Sequence, residues 1–269
     1  MAKAKKKTGS EMMAALASLP GLANRPGLPA PDSITSITPA APSGPGAAFT
    51  IIHTNELDAY EEGAPLGPGV VGVLPAAPTG DNFQGTARKA SKLSISNAAP
   101  ENFKDVLALI KTLPAHEKMV NHKPKITTAA TSKRVKEEER NIRINAFIYA
   151  ASREDDNDFH LIVGRSPTAT QETYMTMELS GLPEEKDHNP ALGQLKAARA
   201  AFKKFFKDIG KNPPGLTYDF YHPPIPVEIH GSLFFDMSHA KGSRPGPPSL
   251  KSRMPVVWEV HPISKMIFK

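Results

Sequence analysis

The period of the apolar residues limits the fold of this chain more than any other feature. From Ile142 to Ile148 every second residue is apolar, which is the period of a half-buried β-strand. From Met1 to about Gly80, by contrast, proline, glycine, alanine and serine dominate, and the apolar residues follow no regular period. Such a stretch cannot bury enough apolar surface to offset its chain entropy. The chain is therefore predicted to fold around a β-rich core in its later part.

Three segments follow from this distribution. Residues 1–80 are expected to form a disordered arm rich in proline, glycine and alanine, and residues 141–269 a folded domain. Residues 81–140 are expected to be a linker with a basic segment and a short amphipathic helix at Pro100–Leu113. Prolines near both ends of that helix are typical of helix boundaries. Its predicted apolar face consists of Phe103, Val106, Leu107 and Ile110.

Five strands and one helix are predicted in the folded domain. The strands lie near residues 142–149, 159–163, 173–179, 227–235 and 256–263, and the helix spans about 190–210. Three strands, a helix and two more strands is the element order of the OB-fold, a small five-stranded Greek-key barrel. An open α+β sheet and another small barrel are the alternatives. The predicted fold class is mainly β with one helix, an OB-like barrel after a long disordered arm.

The composition excludes several classes of protein. The 269 residues contain no cysteine, so disulfides, thiolate metal ligands and a cysteine nucleophile are ruled out. No segment reaches the roughly 20 continuous apolar residues of a membrane span, and the lysine-rich N-terminus lacks a convincing signal-peptide cleavage site. A cytoplasmic protein is therefore expected. The G-x-S-x-G elbow and the phosphate-binding P-loop are both missing.

The charge of the chain mildly favours polyanionic partners. The formal net charge is +6 and the isoelectric point is about 9.3, although a surplus of surface lysine explains these values equally well. OB barrels hold single-stranded nucleic acid with basic grooves and stacking aromatic side chains. Ordinary packing is the alternative explanation for the two aromatic candidates. The candidate nucleic-acid-binding residues are Arg143, Phe147, Tyr149, Lys203 and Lys204.

Carboxylate and imidazole side chains recur beside three of the predicted strands. An acidic turn precedes the second strand, and acidic and imidazole residues also occur together at the end of the fourth strand and on the fifth. Because side chains alternate along a strand, Glu259 and His261 share the face opposite Trp258. His160 likewise faces away from the apolar side of its strand. The candidate polar cluster consists of Asp158, His160, Asp236, His239, Glu259 and His261.

Two interpretations of this cluster remain open. Imidazole and carboxylate ligands suit zinc, manganese or a similar divalent ion, which would be held by His160, His239 and His261 and could activate water against a phosphodiester. The alternative is a hydrogen-bonded network that pins loops to the barrel. No spacing such as H-E-x-x-H forces ligation, so the sequence favours the network.

Three motifs in the C-terminal part of the chain resemble a group of largely uncharacterised bacterial proteins. That group carries D-x-H-L after an acidic turn, then G-x-x-F-x-D-x-x-H, then E-[LIV]-H-P. The corresponding segments here are Glu154–Val163, Gly231–His239 and Trp258–Pro262. The resemblance leaves out the first 140 residues and implies a shared fold rather than an activity. This chain departs from the group in a longer proline- and lysine-rich insert, Ala240–Met254.

The sequence therefore predicts a ligand-binding β-barrel, with nucleic acid or another polyanion as its candidate ligand. One alternative is a metal-dependent hydrolase or phosphodiesterase that uses the polar cluster. Another is a structural or interaction module that holds a protein partner through the N-terminal arm. The choice depends on which side chains converge in space.

Overall fold

The computed structural model describes residues 49–57, 78–240 and 245–269, together with the backbone of one short strand at residues 35–36. The fold is a mainly β sheet with few helices. The strands are β1 (Thr35–Ser36), β2 (Thr50–His53), β3 (Pro100–Phe103), β4 (Asn141–Arg153), β5 (Phe159–Gly164), β6 (Tyr174–Leu179), β7 (Asp219–Phe235) and β8 (Trp258–Phe268). The α-helices are α1 (Lys89–Lys92), α2 (Val106–Ile110), α3 (His116–Val120) and α4 (Leu192–Asp208). Single 3-10 turns occur at Lys136–Glu138, Glu185–Asp187 and Lys251–Arg253.

The sheet has eight strands in the order β1-β2-β7-β8-β6-β5-β4-β3, and β7 also pairs with β4. Strands β4, β5, β6, β8 and β7 are therefore linked in a closed circuit of hydrogen-bonded neighbours. In this circuit β6 and β8 run parallel, and every other pair of neighbours is antiparallel. Helix α4 connects β6 to β7. The long strands β4 and β7 pair with each other along most of their length.

The sheet is larger than the five strands expected from the sequence. Thr50–His53, inside the segment predicted to be a disordered arm, forms β2 and pairs with the start of β7. The rest of the predicted arm, residues 1–80, lies mostly outside the described residues. β7 itself begins at Asp219, eight residues before the predicted start at 227. The backbones of β2 and β4 both supply hydrogen-bond partners for this extension.

The predicted helix at Pro100–Leu113 is wrong in its first part. Pro100–Phe103 is β3, which runs parallel to the start of β4. The helix begins only after Asp105, whose side chain accepts a hydrogen bond from the backbone N–H of Ala108 at 2.8 Å, as an N-cap residue does. Pairing with β4 satisfies the backbone of Pro100–Phe103, so tertiary contacts override the helical spacing.

Helix α4 packs an apolar face against the core of the sheet. The Phe202 ring lies 4.9 Å from Phe159 of β5, and Phe206 is also fully buried. The helix ends at a left-handed glycine, since Gly210 has φ of 70°, and the backbone N–H of Lys211 donates to the carbonyl of Phe206 at 2.9 Å. This is the usual way to satisfy the last carbonyl groups of a helix.

Residues 78–138, here named the covering segment, pack on the sheet and contribute to its core. Val106, Leu109, Met119 and Ile126 are buried in the same apolar cluster as the interior side chains of β4 to β8. Helix α1, within this segment, lies over the face of the sheet that carries the polar cluster. Among the described residues, none of the helices has the length and apolar character to traverse a lipid bilayer.

Candidate functional site

The polar cluster lies on the side of β5, β6 and β8 that faces away from the apolar core. On β8, Trp258 and Val260 belong to the core, so Glu259 and His261 project from the opposite face. Glu259 is opposite Thr176 of β6 in the parallel register. The covering segment encloses this face, and Glu259 and His261 are both buried.

His261 and Glu178 meet in the middle of the cluster. The Nδ1 atom of His261 lies 2.6 Å from Oε2 of Glu178, and its Nε2 atom lies 3.3 Å from Oδ2 of Asp158. The other oxygen of Asp158, Oδ1, accepts a hydrogen bond from the backbone N–H of Gly181 at 2.6 Å. Glu259 Oε2 is 3.6 Å from the same Nδ1 atom of His261. Three buried carboxylates therefore surround one buried imidazole.

The contact between His261 and Glu178 is short, yet it lacks the geometry of a hydrogen bond. Within the described part of the chain, Glu178 Oε2 and both ring nitrogens of His261 are buried without a hydrogen-bond partner. The charges attract at this distance, but an N–H group would not point at the oxygen. A buried polar atom with no partner costs about 1–3 kcal/mol, so the arrangement needs a further group to satisfy it.

A second group of ligand atoms adjoins the first. His160 Nδ1 lies 2.5 Å from Glu154 Oε1 and 3.8 Å from Glu178 Oε1, and its Nε2 atom is 3.1 Å from the hydroxyl of Thr176. Two sets of three side chains each bring one ligand atom per residue within 4.8 Å of one another. These sets, which share Glu178, are Asp158, Glu178 and His261, and Glu154, His160 and Glu178.

Lys92 of α1 is the main cation held against these carboxylates. Its Nζ atom lies 2.9 Å from Asp156 and 3.5 Å from Asp158. Burial would lower the pKa of Lys92, but the neighbouring carboxylates, Asp156 first, raise it well above the usual value. The ammonium group therefore stays charged.

Burial and crowding move the pKa values of the carboxyl groups apart. Burial, reinforced by the charge of Asp156, raises the pKa of Asp158 well above its ordinary value. Burial and the charge of Glu178 likewise raise the pKa of Glu259 well above its ordinary value. For Glu178, burial opposes ionisation, but the positive charges of His261 and Lys92 outweigh it and lower the pKa. The cluster thus contains more carboxyl groups than its cations can hold ionised.

Asp236 and His239 form a pair at the edge of the cluster. A carboxylate oxygen of Asp236 contacts Nδ1 of His239, and the other accepts the backbone N–H of Ser238 at 2.9 Å. Burial would raise the pKa of Asp236, but the hydrogen bond with His239 lowers it below its ordinary value. Within the described residues, the groups that contain three ligand atoms within 4.8 Å do not include His239.

A cavity of about 360 Å³ opens onto the cluster. His160 and Glu178 line it, while Asp158 and His261 lie behind its wall. Its acidic lining residues are Glu154, Asp155, Asp156, Glu178, Asp236 and Glu259, and its basic ones are Arg88, Lys92 and Arg153. Arg88 is already bound to Glu138, so the cavity presents a surplus of negative charge.

Sequence reasoning missed Glu178, Glu154 and Lys92 as members of the cluster. Glu178 is the polar position between Met177 and Leu179 on β6, and its alternation with these apolar residues is the local signal for it. Lys92 gives no such signal, because it reaches the cluster from a segment that is 64 residues away from Asp156 in the chain.

The basic candidates for nucleic-acid binding lie apart from the cavity. The described residues that line the cavity do not include Arg143, Lys203 or Lys204. Each forms an ion pair with a carboxylate, and these pairs are Arg143 with Glu228 at 3.0 Å, Lys203 with Asp81 at 2.9 Å, and Lys204 with Asp208 at 2.5 Å.

The two aromatic candidates also lie outside the cavity lining. Tyr149 packs edge-on against Tyr174 with ring centroids 4.8 Å apart, and its hydroxyl donates to the carbonyl of Arg165 at 2.8 Å. Phe147 is half-buried on the same face of β4. The contacts of Tyr149 are those of a packed side chain.

Comparison with known proteins identifies no relative of this chain. No family model, curated protein or solved structure matches the chain.

Proposed function

We propose that this chain binds a divalent metal ion through Asp158, Glu178 and His261, and that metal-dependent hydrolysis of a small substrate takes place in the adjoining cavity. The observation that carries the proposal is the unsatisfied contact between Glu178 and His261. A cation bound to these side chains would give Glu178 Oε2 and one ring nitrogen of His261 the partner that each now lacks. Nitrogen and oxygen ligands in this mixture suit zinc or manganese.

We also propose that the fold is OB-like, with β4, β5, β6, β7 and β8 as the five strands of the barrel. The closed circuit of pairings and the position of α4 between β6 and β7 support this assignment. OB-folds bind ligands on the face of their second and third strands and with the loops that follow the first and fourth strands. The cavity is lined by these same regions, since it includes Glu154, His160, Glu178 and His239. The resemblance to the bacterial group stays a prediction.

The cavity provides groups suited to hydrolysis. A divalent ion held by Asp158, Glu178 and His261, when bound, would supply the means to activate water at neutral pH. Asp236 holds the His239 ring through Nδ1, which fixes the tautomer of an imidazole at the cavity edge and suits it for proton transfer. Lys92 adds a positive charge beside the acidic turn. Hydrolysis would form a bond from the water oxygen to the electrophilic atom of the substrate and break the bond from that atom to the leaving group, which would take up the proton that the water loses.

The surplus of carboxylates disfavours direct binding of a polyanion in the cavity. A phosphodiester would be repelled unless a metal ion compensated this charge. Nucleic-acid binding through Arg143, Lys203 and Lys204, and capture of a protein partner through the N-terminal arm, stay predictions from the sequence.

Metal titration of the full-length chain tests the proposal. After treatment with EDTA, the protein is titrated with Zn²⁺ and Mn²⁺ in a calorimeter, and the metal that survives dialysis is measured by elemental mass spectrometry. We expect near-stoichiometric binding, and a loss of roughly 100-fold or more in affinity for His261→Ala and Glu178→Gln, which remove ligands. His188→Asn is the matched control, because His188 is exposed and has a positive φ that asparagine tolerates.

Two outcomes would overturn the proposal. One is a chain that binds neither ion after EDTA treatment, and the other is binding that the two ligand variants leave unchanged. In either case Glu178 and His261 form an ion pair within a structural network.

A further inference from the structure

We infer that the site holds two metal ions bridged by Glu178, one enclosed and one facing the cavity. The enclosed ion would be bound by Asp158 and His261, and the cavity-facing ion by Glu154 and His160. This inference rests on the proposed function and specifies how the ions are shared.

The position of Glu178 between two histidines is the first argument for a bridge. Its Oε2 atom lies 2.6 Å from His261 Nδ1, and its Oε1 atom lies 3.8 Å from His160 Nδ1. Each oxygen therefore faces a different imidazole. A carboxylate in this position can bind one ion with each oxygen, as in two-metal sites whose ions are about 3.5–4 Å apart.

The two sets of ligands differ in their access to solvent. Asp158 and His261 are completely buried and lie outside the cavity lining, whereas Glu154, His160 and Glu178 line the cavity. An ion held by Asp158, Glu178 and His261 would be shielded from bulk water, while an ion with a coordination position open to the cavity can bind water or substrate. The cavity-facing ion is therefore the one that would act on a substrate.

The charge of the region is the second argument for more than one ion. Acidic lining residues outnumber basic ones. Arg88, one of the basic residues, is occupied by Glu138 and by the carbonyl of Phe235 at 2.9 Å. Two divalent ions would offset this excess far better than one, because buried like charges repel strongly.

The cavity-facing ion is expected to bind more weakly than the enclosed one. His160 already contacts Glu154 at 2.5 Å and Thr176 at 3.1 Å. An ion that binds at Nδ1 must displace the contact with Glu154. The enclosed position carries no such competing hydrogen bond at Glu178 Oε2 or His261.

Loading with Mn²⁺ tests the two-ion site directly. The full-length chain, freed of metal, is titrated with Mn²⁺ in a calorimeter, and electron paramagnetic resonance detects magnetic coupling between neighbouring ions. We expect two equivalents of different affinity and a coupled signal. His160→Ala and Glu154→Gln should each remove the weaker equivalent and the coupling, while the tighter equivalent remains. His188→Asn should leave both equivalents in place.

The outcomes separate this inference from the proposed function. One equivalent of Mn²⁺, uncoupled and unchanged in His160→Ala, would overturn the two-ion site and leave the single enclosed ion intact. Binding of no Mn²⁺ at all would overturn both. Thermal unfolding followed by circular dichroism, recorded for every variant, identifies any loss that results from misfolding.

Discussion

At the scale of single residues, a buried ion pair inside the covering segment binds the backbone of Phe235 on the sheet. Arg88 and Glu138 are almost completely buried, and two nitrogens of the guanidinium contact the two carboxylate oxygens at 2.6 and 2.8 Å. Glu138 also accepts the backbone N–H of Phe235 at 2.9 Å. Such a pair adds little net stability compared with apolar packing, but the loss of one partner leaves a buried charge.

Arg88→Ala is expected to reduce the free energy of unfolding by ~3–5 kcal/mol, because Glu138 would remain buried without its partner. Urea unfolding measures the effect. Arg140→Ala is the control, since Arg140 forms a similar contact of 2.6 Å with the exposed Glu101 and should cost less than ~1 kcal/mol. Equal losses in the two variants would contradict the prediction.

Glu228 gives the stability of the protein a dependence on pH. Hydrogen bonds from Arg143 first, and then from His230, lower the pKa of Glu228 from 4.5 to about 2. Since the folded state has the lower pKa, ionised Glu228 stabilises the fold above pH 4.5, and this contribution is lost as the pH falls toward about 2. Glu228→Gln is expected to flatten the pH dependence of the unfolding free energy in that interval. Parallel curves for the two proteins would refute this.

At the scale of the elements, an irregular pairing of β7 and β8 positions His261. Gly231 pairs with Ile263 and Leu233 pairs with Val260, so His261 and Pro262 lie opposite the single residue Ser232. Two residues opposite one is a β-bulge, which bends a strand and changes the direction of a side chain. The backbone around His261 is therefore shaped by its pairing with β7.

Gly231 permits the close approach of the two strands. A Cβ atom at this position would lie 2.5 Å from the carbonyl oxygen of Pro262. Gly231→Ala is expected to displace β8 and destabilise the protein by ~1–3 kcal/mol, with weaker metal binding because His261 moves. Gly193→Ala on α4 is the control, because a Cβ there meets no atom within 4 Å and alanine favours a helix. Thermal unfolding and calorimetry compare the two variants, and equal behaviour would exclude the steric explanation.

At the scale of the whole molecule, the covering segment completes both the core and the polar cluster. It supplies the buried side chains of Val106, Leu109 and Met119 to the apolar cluster and brings Lys92 to the acidic turn. It also places Arg134, which donates to the carbonyl of His261 at 2.6 Å. The later part of the chain does not enclose its own core.

A chain limited to residues 141–269 is expected to lose cooperative unfolding, because the apolar surface under the covering segment would be exposed to water. A chain of residues 78–269 retains that segment and serves as the comparison. Thermal unfolding by circular dichroism and binding of a hydrophobic dye measure the difference. A cooperative transition for residues 141–269 at the same temperature as for 78–269 would contradict the prediction.

The local features of this protein follow from its amino-acid sequence. Alternation of apolar and polar residues predicted β4, β5, β6, β7 and β8, and a helix was predicted at about 190–210, where the structure has Leu192–Asp208, because the period of a strand or helix is set by neighbouring residues. The same alternation indicated that Glu259 and His261 share a face. The ends of the strands were less predictable, since β7 extends by pairing with β2.

Which side chains meet depends on contacts between distant parts of the chain. The candidate cluster from the sequence did not include Glu178, because its place beside His261 depends on the register of β6 with β8. Lys92 reaches the cluster across the fold, and β3 replaces part of a predicted helix because β4 offers it backbone partners. Such contacts depend on strand register, on a bulge and on packing of distant segments, which the local residue period does not contain.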